Sequence, residues 1–360
     1  MDRSSPTSLA TAVQIGGLRV EPNLVLAPME GVTDLSFRRM VRHIGGVGLT
    51  CTEFVPSAAL KRGDDKFTRM VEFDEDERPI SIQLYGKDPA EMAAGARVVQ
   101  ELGADICDIN MGCPSKKVCN NSGGSSLMRE PNLVRDIVRA VVAAVDIPVT
   151  VKMRSGFDAD NRNAPEIAWV AQEEGAQWVA IHWRTREDKY KGTRAIDKIA
   201  ETKAKLSIPV LANGDIVDID SARAMFQDTG CDGLLIGRGA IRNPWLPLQI
   251  SEWQQGLPIT VVNAAERERV MVDYFDSISA VFARSAKGAL GRFKMLANQY
   301  SRGLPAGVQF KKKVLHSLTG EEARAHVAEY FQKLRLYEAG DEGAFEDYKA
   351  KAWVRKQQAG

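Results

Sequence analysis

Residues 209–239 begin Pro209-Val210-Leu211-Ala212-Asn213-Gly214-Asp215 and continue through a stretch of helical periodicity, Ser221–Thr229. They then turn at Gly230-Cys231-Asp232 and end Gly233-Leu234-Leu235-Ile236-Gly237-Arg238-Gly239. A short apolar run closes in polar and glycine residues, a helix follows, a glycine stops it, and a second apolar run closes the same way. The runs are nearly continuous rather than alternating, as expected of parallel strands buried on both faces. Gly230 suits the left-handed residue that terminates a helix. The segment reads as one strand–helix–strand unit.

The same unit recurs along the chain. Six more runs of this kind are Asn23–Ala27, Gly48–Glu53, Ile80–Tyr85, Asp105–Asn110, Pro148–Met153 and Trp178–His182, which with Pro209–Ala212 and Asp232–Ile236 makes eight. Helical periodicity fills the gaps at Pro89–Leu102, Pro131–Val145 and Ala164–Glu174. Each of these helices has a proline at its start, as in Asp88-Pro89, and two end at a glycine, Gly103 and Gly175. Eight βα units in about 250 residues predict an α/β fold of the (β/α)₈ TIM-barrel type. An open doubly wound sheet fits the same pattern, because strand order is not written in a sequence. After Pro258 strand runs stop, and helical stretches follow at Ala264–Ala283, Ala289–Tyr300, Val308–Ser317 and Glu321–Tyr337. The expected organisation is a barrel domain over 1–255 and a small all-α domain over 256–360.

Composition narrows the class. With 44% hydrophobic and 26% charged residues the 360-residue chain is an ordinary globular protein, not a disordered or low-complexity one. No apolar run approaches the roughly 18 residues of a membrane span. Met1–Gln14 has Arg3 but no apolar core, so no secretory signal is expected. The five cysteines (Cys51, Cys107, Cys113, Cys119, Cys231) are odd in number and scattered, which argues against a disulfide framework and for a reducing compartment, the cytoplasm. The net charge of +1 hides an asymmetry, since residues 261–360 carry about +5. Between Asp276 and Glu321 there is no acid, while Arg284, Lys287, Arg292, Lys294, Arg302 and Lys311-Lys312-Lys313 stand there. Such a window fits a surface for a polyanion, and equally a solvated helix face that lacks acids.

In a barrel the active site forms at the C-terminal ends of the strands. Polar residues stand there on nearly every run: Glu53, Gln83, Asn110, Lys152, His182, Asn213 and Arg238. Burying these without partners would be expensive, so one shared polar site is expected. Asn213-Gly214-Asp215 and Gly237-Arg238-Gly239 follow runs seven and eight, where barrels commonly hold phosphate on backbone N–H groups; two tight turns are the plainer reading. A phosphate site in a polar pocket suggests FMN, with Lys152 placed to neutralise charge on a reduced flavin ring. A salt bridge from Lys152 to Glu53 explains the lysine equally well. Cys113, in a Gly-Cys-Pro turn, is a candidate proton donor or a packing thiol. No zinc spacing and no strand-borne GxGxxG motif occurs, so neither a metal nor a Rossmann nicotinamide site is expected.

These motifs together resemble the tRNA-dihydrouridine synthase family. The resemblance rests on Leu26-Ala27-Pro28-Met29-Glu30-Gly31, Gln83-Leu84-Tyr85-Gly86, Asn110-Met111-Gly112-Cys113-Pro114-Ser115, Val151-Lys152-Met153-Arg154, Ala212-Asn213-Gly214-Asp215 and Ile236-Gly237-Arg238-Gly239-Ala240. It covers about residues 22–250 in order and is most similar to the bacterial branch C. It implies FMN-dependent reduction of the C5=C6 bond of a D-loop uridine in tRNA, with NADPH as reductant. It further implies that hydride passes from flavin N5 to C6 while Cys113 protonates C5. Pro28, Met29, Gln83, Lys152, His182, Asn213, Gly214, Asp215, Gly237 and Arg238 match the family's FMN contacts. Asn110 matches a residue that positions the target base, and Arg154 is expected on the substrate side with Lys311 and Lys312 of the basic window. The helical domain then corresponds to the family's tRNA clamp, and a cytoplasmic monomer is expected. The chain departs from the family's His-Gly-Arg-Thr at His182-Trp183-Arg184-Thr185, where Trp183 either stacks on a base or packs away. Two other classes share parts of the pattern: a small-molecule flavin dehydrogenase of the dihydropyrimidine or dihydroorotate type, and a non-enzymatic RNA-binding protein. The basic helical tail speaks against the former, since a free pyrimidine needs no such surface.

Overall fold

A computed structural model describes residues 10–119, 123–189, 192, 194–283, 285–346 and 348. Residues 1–9 and Arg284 therefore lie outside the described residues. The chain divides into two compact units, Met1–Ala240 with Trp245–Ile259, and Ile241–Pro244 with Thr260–Gly360.

The first unit is a closed parallel barrel. Its strands are β1 (Leu24–Leu26), β2 (Leu49–Cys51), β3 (Ile80–Tyr85), β4 (Ile106–Met111), β5 (Val149–Arg154), β6 (Val179–His182), β7 (Val210–Asn213) and β8 (Gly233–Ile236). Each pairs in parallel with the next, and β8 returns to β1 through Leu234↔Leu24 and Ile236↔Leu26. That closure removes the open-sheet alternative. A two-residue piece, Val55–Pro56, continues the line of β2 and pairs with the end of β3.

One inner cluster joins Val25, Leu49, Ile106, Ala180, Leu211 and Leu235 to Val13, Ile15 and Val20. The last three belong to an antiparallel hairpin, Val13–Ile15 with Leu18–Val20, around Gly16-Gly17. Each fully buried aliphatic side chain stabilises the fold by about 1.5–3 kcal/mol. Apolar filling at this level leaves the polar residues at the strand C-termini as the barrel's mouth. The surrounding helices obey local rules. Asp88 accepts from Glu91 N–H with Pro89 in the first turn, and Asp218 and Ser221 cap each other reciprocally. Gly230 closes its helix at φ +63°, its N–H bonded to Phe226 O.

The second unit contains helices Ala264–Val281, Ala286–Tyr300, Gly307–His316 and Gly320–Glu338. Its core is aromatic: Phe310 stacks on Tyr330 at 4.3 Å, and Phe275 meets Phe293 edge-on at 4.6 Å. Two cations of the basic window serve this fold, Lys313 paired with Glu329 and Lys294 donating to Ser317 O. Lys311 and exposed Lys312 make no ion pair with the described residues. Among the described residues no helix is long and apolar enough to cross a membrane.

Candidate active site

The expected barrel residues converge on one end of the first unit. Gln83 lies on β3, Asn110 on β4, Lys152 and Arg154 on β5, His182 on β6 and Asn213 on β7, with Pro28, Met29, Cys113, Gly214, Asp215 and Gly237 in the loops that follow strands and Arg238 at the start of the short helix Arg238–Arg242. Lys311 and Lys312 stand on helix Gly307–His316 of the second unit.

Under the Cys113 loop runs a chain of hydrogen bonds across three strands. Thr150 Oγ1 and Gln83 Nε2 donate to the two oxygens of Asp108, at 2.6 and 2.5 Å. Asn110 Nδ2 donates to Gln83 Oε1 at 2.7 Å. Asn110 Oδ1 then accepts from Gly112 N–H at 3.0 Å and Cys113 N–H at 2.9 Å. Register makes this possible, since Gln83 sits opposite Asp108 and Asp108 opposite Thr150. On its other side Cys113 is held by its carbonyl, which accepts from Ser125 N–H (3.1 Å) and Ser125 Oγ (2.9 Å). Gln83 and Asn110 each have a second amide hydrogen with no acceptor among the described residues. Burial pushes the Cys113 thiol above its ordinary value, with Glu30 and Cys119 adding to the shift. A thiol so placed stays protonated at neutral pH and suits a proton donor.

Lys152 projects into the mouth from β5. It makes no hydrogen bond to a described residue and lies within electrostatic range of Asp108 and Cys113. Burial, with Arg154 alongside, lowers its pKa to about 8. The salt bridge to Glu53 is not formed; Glu53, 3% exposed, accepts from Gly31 N–H and so holds the loop after β1. Burial and the cations Arg154, Lys152, Arg184 and Arg238 keep His182 neutral. Its Nδ1 faces the N–H of Arg184 at 3.1 Å and must accept, so Nε2 carries the proton and is a donor. Arg154 is 4% exposed and ties loops together by donating to Gly112 O, Thr185 O and Lys189 O.

The loops after β6, β7 and β8 are knitted by charge. Arg184 grips both oxygens of Asp215 at 3.0 and 2.6 Å, and Arg238 reaches the same carboxylate at 2.9 Å. Asn213 Nδ2 donates to Leu235 O at 2.6 Å, fixing β7 to β8. Trp183 is 2% exposed beneath this loop, with the Arg184 guanidinium 3.9 Å above its ring. It therefore packs rather than presenting a face to a base. Its indole Nε1 is buried with no hydrogen-bond partner among the described residues and abuts Gly214. Three arginines (Arg154, Arg184 and Arg238), a lysine and an indole donor that lack partners among the described residues, and glycine loops around them, fit an anionic cofactor carrying a phosphate. Among the described residues no three His, Cys, Asp or Glu side chains cluster to hold a metal.

No sequence motif marks Asp108, Thr150 or the pairing of Arg184 with Asp215 as part of the site. Asp108 and Thr150 sit mid-strand, and only cross-strand register brings them to the site.

A closed barrel with a cationic, glycine-looped mouth and a clamped cysteine is the frame of an enzyme that handles an anionic cofactor. The model of the family described as dihydrouridine synthase (Dus) matches residues 25–335. A tRNA-dihydrouridine synthase B of Pseudomonas syringae pv. tomato is 41% identical over 326 residues, covering 90% of this chain and 95% of its own. A probable tRNA-dihydrouridine synthase of Rickettsia prowazekii is 35% identical over 324 residues, covering 89% and 98%. Histamine dehydrogenase from Rhizobium shares the barrel architecture, with TM-score 0.52 and 16% identity over 74% of this chain and 51% of its own. The chain belongs to the dihydrouridine synthase family. Several of its relatives are named for synthase B, not for the branch C that the motifs resembled.

Proposed function

We propose that this chain is a cytoplasmic, FMN-dependent tRNA-dihydrouridine synthase that reduces the C5=C6 bond of a D-loop uridine, acts as a monomer and draws its electrons from NADPH. The observation that carries this reading is the thiol of Cys113, clamped by Asn110 and Ser125 at the mouth that holds Lys152. Bound FMN would supply the hydride. Pro28, Met29, Gln83, Lys152 and His182 would hold its ring system, and Asn213, Gly214, Asp215, Gly237 and Arg238, joined by Arg184, its phosphate end. Lys152 holds a positive charge where negative charge develops on reduction. His182 Nε2 offers a neutral donor beside it. Cys113 Sγ delivers its proton to uracil C5, and the free amide hydrogens of Asn110 and Gln83 are available to the base edge or the ring. The resulting thiolate is stabilised by Arg154 and Lys152 nearby.

A uracil within folded tRNA reaches such a pocket only when extruded from its stack, at a cost of a few kcal/mol met by stacking and edge hydrogen bonds. Lys311 and Lys312, not engaged by acids of their own unit, fit a role in holding the phosphate backbone. A small-molecule dehydrogenase gives way to this reading on the family match. The test is to isolate the full chain with its flavin and incubate it with unmodified tRNA and NADPH. A gain of two hydrogens at a D-loop uridine, read by mass spectrometry, is expected, and a flavin-loaded protein that leaves tRNA unchanged contradicts it.

A further inference from the structure

Asp108 is a buried carboxylate on β4, 4% exposed. Its position in the hydrogen-bond chain is decisive. Burial raises the pKa of Asp108, while both its oxygens accept, one from Thr150 Oγ1 and one from Gln83, which turns its NH₂ toward it. That leaves Gln83 Oε1 facing Asn110, which must answer with its own NH₂. Asn110 Oδ1 is then left facing the Cys113 loop, where backbone N–H groups can only donate. Both ends impose the same direction on the two amides between them. Thr150 Oγ1 fixes the other carboxylate oxygen, so the carboxylate plane is set as well.

We propose that Asp108 is a positioning residue that acts through Gln83 and Asn110 to hold Cys113 in its reactive place. The proposal rests on Cys113 being the proton donor. Its geometric content, that Asp108 immobilises the Cys113 backbone, stands apart from that. Without the two acceptor oxygens, Gln83 Nε2 loses its acceptor, Gln83 and Asn110 are tethered from the Cys113 end alone, and the acceptor under the Cys113 N–H is held less rigidly. A thiol displaced by about 1 Å loses on the order of 100-fold in rate. Asparagine at this position keeps the direction of the chain, with its oxygen toward Gln83 and its amide toward the Thr150 hydroxyl. Leucine keeps the branching with bulkier methyl groups and provides no polar atom.

The experiment compares Asp108→Leu and Asp108→Asn in the full, flavin-loaded chain. Two readouts are taken: steady-state kinetics on tRNA, and peptide-resolved alkylation of Cys113 by iodoacetamide. For Asp108→Leu we expect kcat to fall on the order of 100-fold with KM for tRNA within about twofold. Alkylation of Cys113 is expected to be several-fold faster than in the parent. Asp108→Asn should restore most of kcat and the parent alkylation rate. The proposal is overturned if Asp108→Leu leaves both readouts within twofold of the parent. It is equally overturned if Asp108→Asn is as impaired as Asp108→Leu, because charge rather than the direction of the chain would then be at work. Should Asp108→Leu fail to fold, Gln83→Met breaks the same chain at its middle link. It is expected to loosen Cys113 toward alkylation, and an unchanged alkylation rate overturns the proposal. Alkylation reports on the loop whether or not the chain acts on tRNA, so failure of the functional reading and failure of the positioning role are told apart.

Discussion

A Cβ added to Gly214 would lie 2.5 Å from both Cδ1 and Nε1 of Trp183, and Gly214 has φ +118°. The indole edge and the loop after β7 thus define each other's place. Gly214→Ala is strained by its backbone conformation and by the clash, and should cost about 1–3 kcal/mol for the backbone alone. Because Asp215 of this loop holds both Arg184 and Arg238, flavin retention should fall too. Trp183→Gly opens a cavity of its own but removes the clash, so the double variant should be less destabilised than the sum of the singles. Thermal melts and flavin content of the four proteins decide this; strict additivity would break the link.

Lys152 gives the reaction an alkaline limit. Its pKa of about 8 means that the charge is complete at lower pH and disappears as pH rises through that value. Activity should decline with a midpoint near 8, ahead of a second decline as the Cys113 thiol, raised by burial, finally ionises. Lys152→Met should be slower throughout and lack the first decline. A pH profile of kcat/KM measures both, and a Lys152→Met profile that keeps the limb near 8 assigns it elsewhere.

Arg38 and Glu77 are both 0% exposed and joined by two contacts, Nε to Oε1 at 3.0 Å and Nη2 to Oε2 at 3.2 Å. Arg38 also donates to Thr33 O, which anchors the loop after β1. Glu77→Ala leaves a buried cation without its partner and should destabilise the barrel by about 3–5 kcal/mol. Arg38→Met with Glu77→Leu removes both charges and should be milder. Urea unfolding tests this, and a double variant worse than the single one would contradict it.

Much of the barrel was legible because its strands are continuous apolar runs and its helices carry their own stops, Gly230 among them. The site was legible as polar residues at strand ends: Gln83, Asn110, Lys152, His182 and Asn213. What escaped depends on partners far away in sequence. Asp108 reads as an ordinary interruption of Ile106-Cys107-Asp108-Ile109, since its partners Gln83 and Thr150 are 25 and 42 residues distant. Arg38 and Glu77 are 39 residues apart and look like surface charges. Trp183 could not be placed without knowing that Gly214 lies against it. The hairpin at Gly16-Gly17 was not anticipated either, although a Gly-Gly pair between Val13-Gln14-Ile15 and Leu18-Arg19-Val20 is a hairpin signal.

The basic window divides by function. Lys313 and Lys294 are spent on their own unit, so their loss should act on stability. Lys311→Ala with Lys312→Ala should instead weaken tRNA binding and flatten its salt dependence, the slope changing by about 1–2. Flavin content should stay as in the parent. Filter binding over a series of salt concentrations is the measurement, and unchanged affinity at low salt removes these lysines from the tRNA surface.

The thiol of Cys113 is tested most directly by mapping dihydrouridine in tRNA from cells lacking this protein and complemented with either the parent chain or Cys113→Ala. The parent should restore the modification, while the variant, retaining flavin and tRNA binding, should leave the uridine unreduced. Full modification by Cys113→Ala would mean that the proton reaches C5 from another group.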